Sequence, residues 1–220
     1  MQRRETLRFA ILSSLILFFI FILPLDALSI QERVVIQRVR EAQERVKDFS
    51  ADLLQEKRVS LLRDKVVTKG KVRFKKPDRL LIEFFSPEGV TMLLQGKTLL
   101  IYFKEEKTAE RYSLEGHPLV ERYLFFSKDP FDERLAQWKI IEDHGSYWII
   151  EILPKEKEAL LMKTKLWISK KEGMIIGMEW VERNGDTTTL RFSNIRVNSG
   201  LTDSDFHLSL PQDLKIREVR

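Results

Sequence analysis

The chain has 220 residues, 43% of them apolar, with nine Gly, seven Pro and no Cys. That composition predicts one ordinary globular domain, and the missing cysteines exclude disulfides, thiolate metal sites and a cysteine nucleophile. The net charge of +5, from 38 basic and 33 acidic residues that are largely interspersed, describes a solvated surface with a weak preference for anionic membranes or partners.

Arg3, Arg4 and Arg8 precede an apolar run over residues 9–23, broken by Ser13 and Ser14 and closed by Pro24. Ala27-Leu28-Ser29 then places small residues where a signal peptidase reads them, so residues 1–29 are expected to be a cleaved secretory signal. The apolar run is short of the about 20 residues that a membrane span needs. Residues 30–220 are then expected to be a single soluble domain outside the cytoplasm. Its first element is a helix over residues 30–47, with Ile30, Val34, Val35, Val39, Ala42 and Val46 near three-four spacing and charges between them.

A first strand is predicted at residues 49–59. Over residues 70–112, apolar runs alternate with the breakers Lys76-Pro77-Asp78, Ser86-Pro87-Glu88-Gly89, Gln95-Gly96-Lys97 and Lys104-Glu105-Glu106-Lys107, which predicts five short antiparallel strands. Val72 and Phe74 alternate cleanly with Lys71, Arg73 and Lys75, the pattern of a half-buried strand. Further on, Leu80, Ile82 and Phe84 are opposed by Leu81 and Phe85, and Leu99, Ile101 and Phe103 by Leu100 and Tyr102, so both faces are apolar. Residues 119–126, after Pro118, read as a short apolar helix. Strands follow at 138–142, 147–153, 160–168, 174–182 and 187–195, with Asn184-Gly185 as the strongest hairpin signal, and a last segment lies at 205–210.

Ten or eleven antiparallel strands in meander order must curl or close. The expectation is a mainly β (α+β) fold: a curved antiparallel sheet, its concave face covered by two helices around a hydrophobic interior. Patterning is compatible with either a filled core or a cavity.

Enzymatic signals are weak. Gly96-Lys97-Thr98 ends like a phosphate-binding loop, but that loop needs a Gly where Thr91 stands and a helix where a strand follows. His117, His144 and His207 share no ligand spacing, and no Gly-x-Ser-x-Gly elbow is present. Neither an enzymatic activity nor a cofactor is expected. The basic residues Lys71, Arg73, Lys75, Lys76 and Arg79 read as a solvated strand edge, and export argues against nucleic acid as a partner.

The stretch GKVRFKKPDRLLIEFFSPEG, followed by QGKTLLIYF, resembles the signature region of the periplasmic lipoprotein carrier family, the LolA-like proteins. The likeness extends more loosely through residues 119–126, Gly185-Asp186-Thr187-Thr188 with Phe192 and Asn194, and Phe206 to Pro211. It implies an unclosed β-barrel lidded by helices, in a periplasmic monomer. Such a protein accepts acylated lipoproteins from an ATP-driven inner-membrane exporter of the ABC type and delivers them to an outer-membrane receptor. A lipid or glycolipid carrier on the same scaffold is the alternative. An envelope-stress sensor of this fold would carry an additional C-terminal domain, for which no room is expected after Pro211.

On this resemblance, Val72, Phe74, Leu80, Ile82, Phe84, Met92, Leu94, Leu99 and Ile101 are expected to line the acyl cavity. Leu119, Tyr123, Leu124 and Phe126 would form part of the lid, and a cavity would account for the apolar residues on both faces of the central strands. Lys76 stands where better-known members have an Arg that bonds lid carbonyls, and is expected to act as the lid latch, with fewer and less directional bonds than an Arg fork. Gln95-Gly96-Lys97 replaces an Asp-Gly-Lys turn, and Thr108 a frequent Gln.

Overall fold

The computed structural model describes residues 30–61, 65–85, 89–113, 131–156 and 161–219. The expected leader and the expected helix at 119–126, with Leu119, Tyr123, Leu124 and Phe126, lie outside them. The chain falls into two compact units, Met1–Val34 and Val35–Arg220. The first contributes only the opening of helix α1 (Ile30–Arg45), and the second holds the rest of that helix and the whole sheet.

From Val35 onward, α1 buries Val35, Ile36, Val39 and Ala42 in one stripe, which Val46, just past its end, continues. Val34, expected in that stripe, is 62% exposed, and Ile36 joins it instead. The buried residues 35, 39, 42 and 46 keep the four-three-four spacing of one helical face, from which Val34 is turned by about 100°. The helix stops where its last carbonyls find side-chain donors. Asn198 Nδ2 donates to the Arg45 carbonyl at 3.0 Å, and Lys76 Nζ to those of Gln43 and Glu44 at 2.7 and 3.2 Å.

Twelve strands among the described residues form one sheet. They are β1 (Asp48–Arg58), β2 (Lys65–Lys75), β3 (Arg79–Phe84), β4 (Val90–Gln95), β5 (Thr98–Phe103), β6 (Thr108–Ser113), β7 (Ala136–Asp143), β8 (Tyr147–Pro154), β9 (Leu161–Ser169), β10 (Ile175–Glu182), β11 (Thr187–Val197) and β12 (Ile216–Val219). Their order is β12-β6-β5-β4-β3-β2-β1-β11-β10-β9-β8-β7, so the sheet is curved and unclosed, with β12 and β7 at its edges. The five strands expected over residues 70–112 are β2 to β6. Strand β12 escaped sequence reading: four residues are too few to show alternation, and it pairs parallel to β6 in an otherwise antiparallel sheet. The segment expected at 205–210 is a short 3₁₀ helix, Asp203–Phe206.

Two meanders, β1–β6 and β7–β11, meet where β1 pairs with β11. A buried carboxylate fixes that junction. Asp48, 6% exposed, accepts hydrogen bonds from Ser199 N at 2.8 Å, Ser199 Oγ at 3.1 Å and Gly200 N at 3.2 Å, while Asn198 Oδ1 accepts from Lys47 N at 2.7 Å. A charge this deeply buried needs such donors. At Gly173, with φ +71°, a Cβ would stand 3.0 Å from the Arg38 carbonyl oxygen and 3.1 Å from Ala42 Cβ, which shows how closely α1 lies on the β9–β10 turn.

The sheet has an apolar core on each side. Residues opposite one another in register share a face. On the outer face Leu81, Leu93 and Phe206 are buried, with Leu100, Leu201 and Leu208 packed against them. Sequence reading assigned the second apolar face of the central strands to a cavity; instead, the C-terminal segment 201–208 crosses that face and covers it. Gln95 Nε2 donates to the Phe206 carbonyl at 3.4 Å, and Asp203 accepts from Lys75 Nζ and pairs with Arg79, each at 2.9 Å.

Phe206 is 1% exposed, so Phe206→Ala is expected to cost about 3 to 5 kcal/mol in equilibrium denaturation; a loss under about 1 kcal/mol would contradict the outer core. The Lys75 hydrogen bond, with Arg79 nearby, holds Asp203 below the usual carboxylate range, and the Thr202 amide and hydroxyl do the same for Asp205. Groups whose folded pKa is depressed stabilise above the unfolded value of about 3.9 and lose that contribution as pH falls toward the folded value. Amide exchange in residues 201–208, corrected for its intrinsic pH dependence, should therefore accelerate below about pH 4; protection unchanged down to about pH 2 would exclude this linkage.

Candidate functional site

The inner face, toward α1, follows from the register. Phe74 pairs with Leu80, Val72 with Ile82 and Gly70 with Phe84. Leu80 then faces Leu94, and Ile82 faces Met92. Leu94 meets Leu99 and Met92 meets Ile101. All nine residues expected to line a cavity, Val72, Phe74, Leu80, Ile82, Phe84, Met92, Leu94, Leu99 and Ile101, thus share one face over four adjacent strands, and each is 9% exposed or less. On β2 and β3 the glycine at Gly70 permits the close approach: a Cβ there would stand 2.3 Å from the Glu83 carbonyl oxygen.

One hydrogen bond ties α1 to the β7 end of this face. Arg40 Nη2 donates to the Phe131 carbonyl at 3.3 Å, and the Phe131 ring, fully buried, meets Trp138 edge-on with centroids 5.8 Å apart. Trp138 shares the inner face through its pairing with Ile152, next to Thr164. The latch candidate Lys76 sits in the β2–β3 turn, where its two bonds tie the sheet to the last turn of the helix. That geometry links Lys76 to α1; the lid residues it was expected to serve lie outside the described residues.

Sequence reasoning missed the other arm of the inner face. Across β11, β10, β9, β8 and β7 the residues Thr188, Trp180, Thr164, Ile152 and Trp138 stand in one continuous register row. Four of these five carry a polar atom, and all five are buried. The signal available was the alternation in 161–168 and 175–182, but it marks a half-buried strand without saying that its buried face is mixed. At the far edge of the inner face, Glu110 accepts from Tyr112 Oη and pairs with Arg217. This polar rim depends on β12.

The outer face is different. Where β1 shifts register between Ser50 and Asp52, and where Asn194 takes φ 51°, a groove of about 530 Å³ opens, lined by Ser50, Asp52, Lys71, Arg73, Asn194 and Arg196 among others. Arg73 pairs with Glu83 at 2.9 Å, and Asp52 accepts from Asn194 Nδ2 at 2.7 Å. It is a polar, solvated groove on the opposite side of the sheet from the apolar lining. Gly96 and Lys97, the phosphate-loop decoy, form the β4–β5 turn, with Gly96 at φ +57°.

Comparison with known proteins agrees with this architecture. The crystal structure of an uncharacterized conserved protein from Thermus thermophilus has the same fold, with TM-score 0.56 at 12% identity over 85% of this chain and 98% of that one. The outer-membrane lipoprotein carrier protein of Ralstonia nicotianae is 29% identical over 161 residues, 70% of each chain. That of Histophilus somni is 26% identical over 157 residues, 69% of this chain and 71% of its own. The sequence profile described as outer membrane lipoprotein carrier protein LolA matches residues 44–209, which takes in the sheet from before β1 to beyond the 3₁₀ helix. With that match over well more than half its length, on a curved, unclosed, helix-covered sheet, the chain belongs to the LolA family of outer-membrane lipoprotein carriers.

Proposed function

We propose that the protein is a periplasmic, non-enzymatic, monomeric carrier that hides the acyl chains of lipoproteins against its inner face and moves them from the inner to the outer membrane. The observation that carries the reading is the nine-residue apolar lining on β2–β5, continuous in register and buried. Its family membership supports the same cargo. Residues 1–29 act as the cleaved export signal, an inner-membrane ABC-type exporter loads the cargo, and an outer-membrane receptor removes it.

The energetics require such a lining. Each methylene brought into water costs about 0.8 kcal/mol, so an acyl chain of about 15 methylenes costs on the order of 12 kcal/mol outside a membrane. A diffusing carrier must replace the membrane with apolar side chains, and it must also let go. The lining is buried in this state, so cargo has to displace its cover, of which we take α1 to be part. Lys76, bonded to the last carbonyls of α1 from the β2–β3 turn, resists that displacement through two hydrogen bonds at the exposed end of the helix. Such bonds are modest in net worth, which suits a cover that must open and close.

Placing a carboxylate within the lining should remove acyl binding. Leu80→Glu, in protein with a native circular dichroism spectrum, is expected to weaken a fluorescent acyl probe at least tenfold; unchanged affinity would take Leu80 out of the lining. Lys76→Leu is expected to change probe loading from vesicles severalfold by freeing the end of α1, and equal loading and transfer rates in both proteins would retire the latch.

A further inference from the structure

The inner face has two chemistries, and the second is unexplained by a purely hydrocarbon ligand. Three buried polar atoms have no hydrogen-bond partner among the described residues: Thr68 Oγ1, Trp138 Nε1 and Trp180 Nε1. Their residues are 0%, 8% and 7% exposed. All three lie on the inner face. Trp180 and Trp138 belong to the row that also holds Thr164 and Thr188, while Thr68 pairs with Gln55, which pairs with Leu190, two residues along β11 from Thr188. They also share one end of the sheet, since Thr68 lies near the start of β2, Trp138 near the start of β7 and Trp180 near the end of β10.

A buried donor left unmatched costs about 1 to 3 kcal/mol, and native proteins leave few of them. An apolar aromatic such as phenylalanine, smaller than indole, would carry no such unmatched donor. The edge-on contact with Phe131 holds the Trp138 ring in place but leaves its N–H unused. On β2–β5, by contrast, all nine lining residues are apolar side chains, and Thr68 near the start of β2 is set apart from them at the end of the face. A ligand that matches both arms has a long alkyl chain and a hydrogen-bond acceptor attached at its end. A carboxylic ester or amide of a long-chain acid has that form: its carbonyl oxygen accepts N–H and O–H donors and carries no charge that burial would penalise.

We propose that Trp138, Trp180 and Thr68, spread along one end of the inner face from β7 through β10 to β2, are carbonyl-binding positions that together make up a polar subsite, donating from Nε1, Nε1 and Oγ1 to ester or amide carbonyls of the cargo while its alkyl chains lie on β2–β5. The inference rests on the acyl-carrier reading and adds to it a preference that hydrocarbon burial alone does not produce.

A matched pair of short lipids tests it. Dioctanoylglycerol carries two ester carbonyls, and dioctylglycerol, its diether, carries none at similar apolar area. With protein purified after expression of the full-length sequence, the ester is expected to bind about tenfold more tightly, which corresponds to about 1.4 kcal/mol and lies within the range of one or two hydrogen bonds. The ester-to-ether affinity ratio should fall toward one in Thr68→Val, which keeps the shape and removes the donor, and in Trp138→Phe and Trp180→Phe, which remove the donor and keep an aromatic ring. Because the ratio compares two lipids on the same protein, a loss of packing common to both does not move it. A ratio of one in the unmodified protein overturns the subsite while leaving the carrier reading in place, as does a ratio unaffected by all three substitutions. Failure of both lipids to bind removes the carrier reading and the subsite together. The unmodified protein is measured independently of any variant, so misfolding of one substitution does not protect the proposal. A diacylglyceryl-cysteine peptide and a diacyl phospholipid of equal chain length then separate the sources of the carbonyl: tighter binding of the peptide assigns it to lipoprotein, and tighter binding of the phospholipid to free lipid.

Discussion

The pairing of β1 with β11 is the constraint on which the other features depend. It joins two meanders whose paired residues run from Phe49 with Val197 to Arg58 with Thr187, far apart in the chain, and without it neither arm of the inner face would continue into the other. Closing a loop that long costs entropy, which the β1–β11 pairing and the contacts at its end offset. The buried Asp48 carboxylate, with donors from Ser199 and Gly200, holds the two strand ends together, and Asn198 beside it bonds both the Lys47 amide and the Arg45 carbonyl. One knot therefore sets where β11 stops, where β1 starts and where α1 ends. The helix is positioned on the inner face by the same residues that close the sheet.

An unclosed sheet has two faces and two edges to protect, and this chain treats each differently. The outer face of β3–β5 is sealed by the segment 201–208, with Phe206 against Leu81 and Leu93. Beyond that segment the chain adds β12 along β6, so one edge is extended by a short parallel strand. The inner face is covered by an amphipathic helix. A cover made of one stripe of aliphatic side chains and a few end-on hydrogen bonds is separable from the sheet in a way that a closed barrel is not. That difference is why the proposed carrier role places cargo on the inner face and not on the equally apolar outer core.

Much of this was legible in the sequence for reasons that are local. Short apolar runs between Pro and Gly punctuators locate β2–β6, and strict alternation in Val72 and Phe74 against Lys71, Arg73 and Lys75 assigns the face. The register then brings those positions together with Leu80, Ile82, Met92, Leu94, Leu99 and Ile101 because tight turns between successive antiparallel strands leave little freedom in pairing. What was not legible depends on long-range contact. Leu81, Leu93 and Leu100 alternate with the inner residues, and nothing near them tells that Phe206 will cover them. Asp48 is one acid among many until Ser199 arrives beside it. Trp138 and Trp180 read as strand aromatics, and only the folded sheet shows that their N–H groups are buried without partners. The helix stripe differs from the reading at one member, Ile36 standing in place of Val34, since adjacent β-branched residues leave the phase of a helix undecided until one face is packed.

The central claim is that the inner face exists to hold acyl chains, and it is tested most directly by what the protein carries. Native mass spectrometry of the protein purified from the envelope of its own cell, followed by extraction and identification of the bound species, reads this without a surrogate ligand. The account predicts an acylated lipoprotein or its acyl-bearing fragment. A protein that emerges empty and also refuses an acyl probe would contradict it, because the apolar lining of β2–β5 would then be ordinary core.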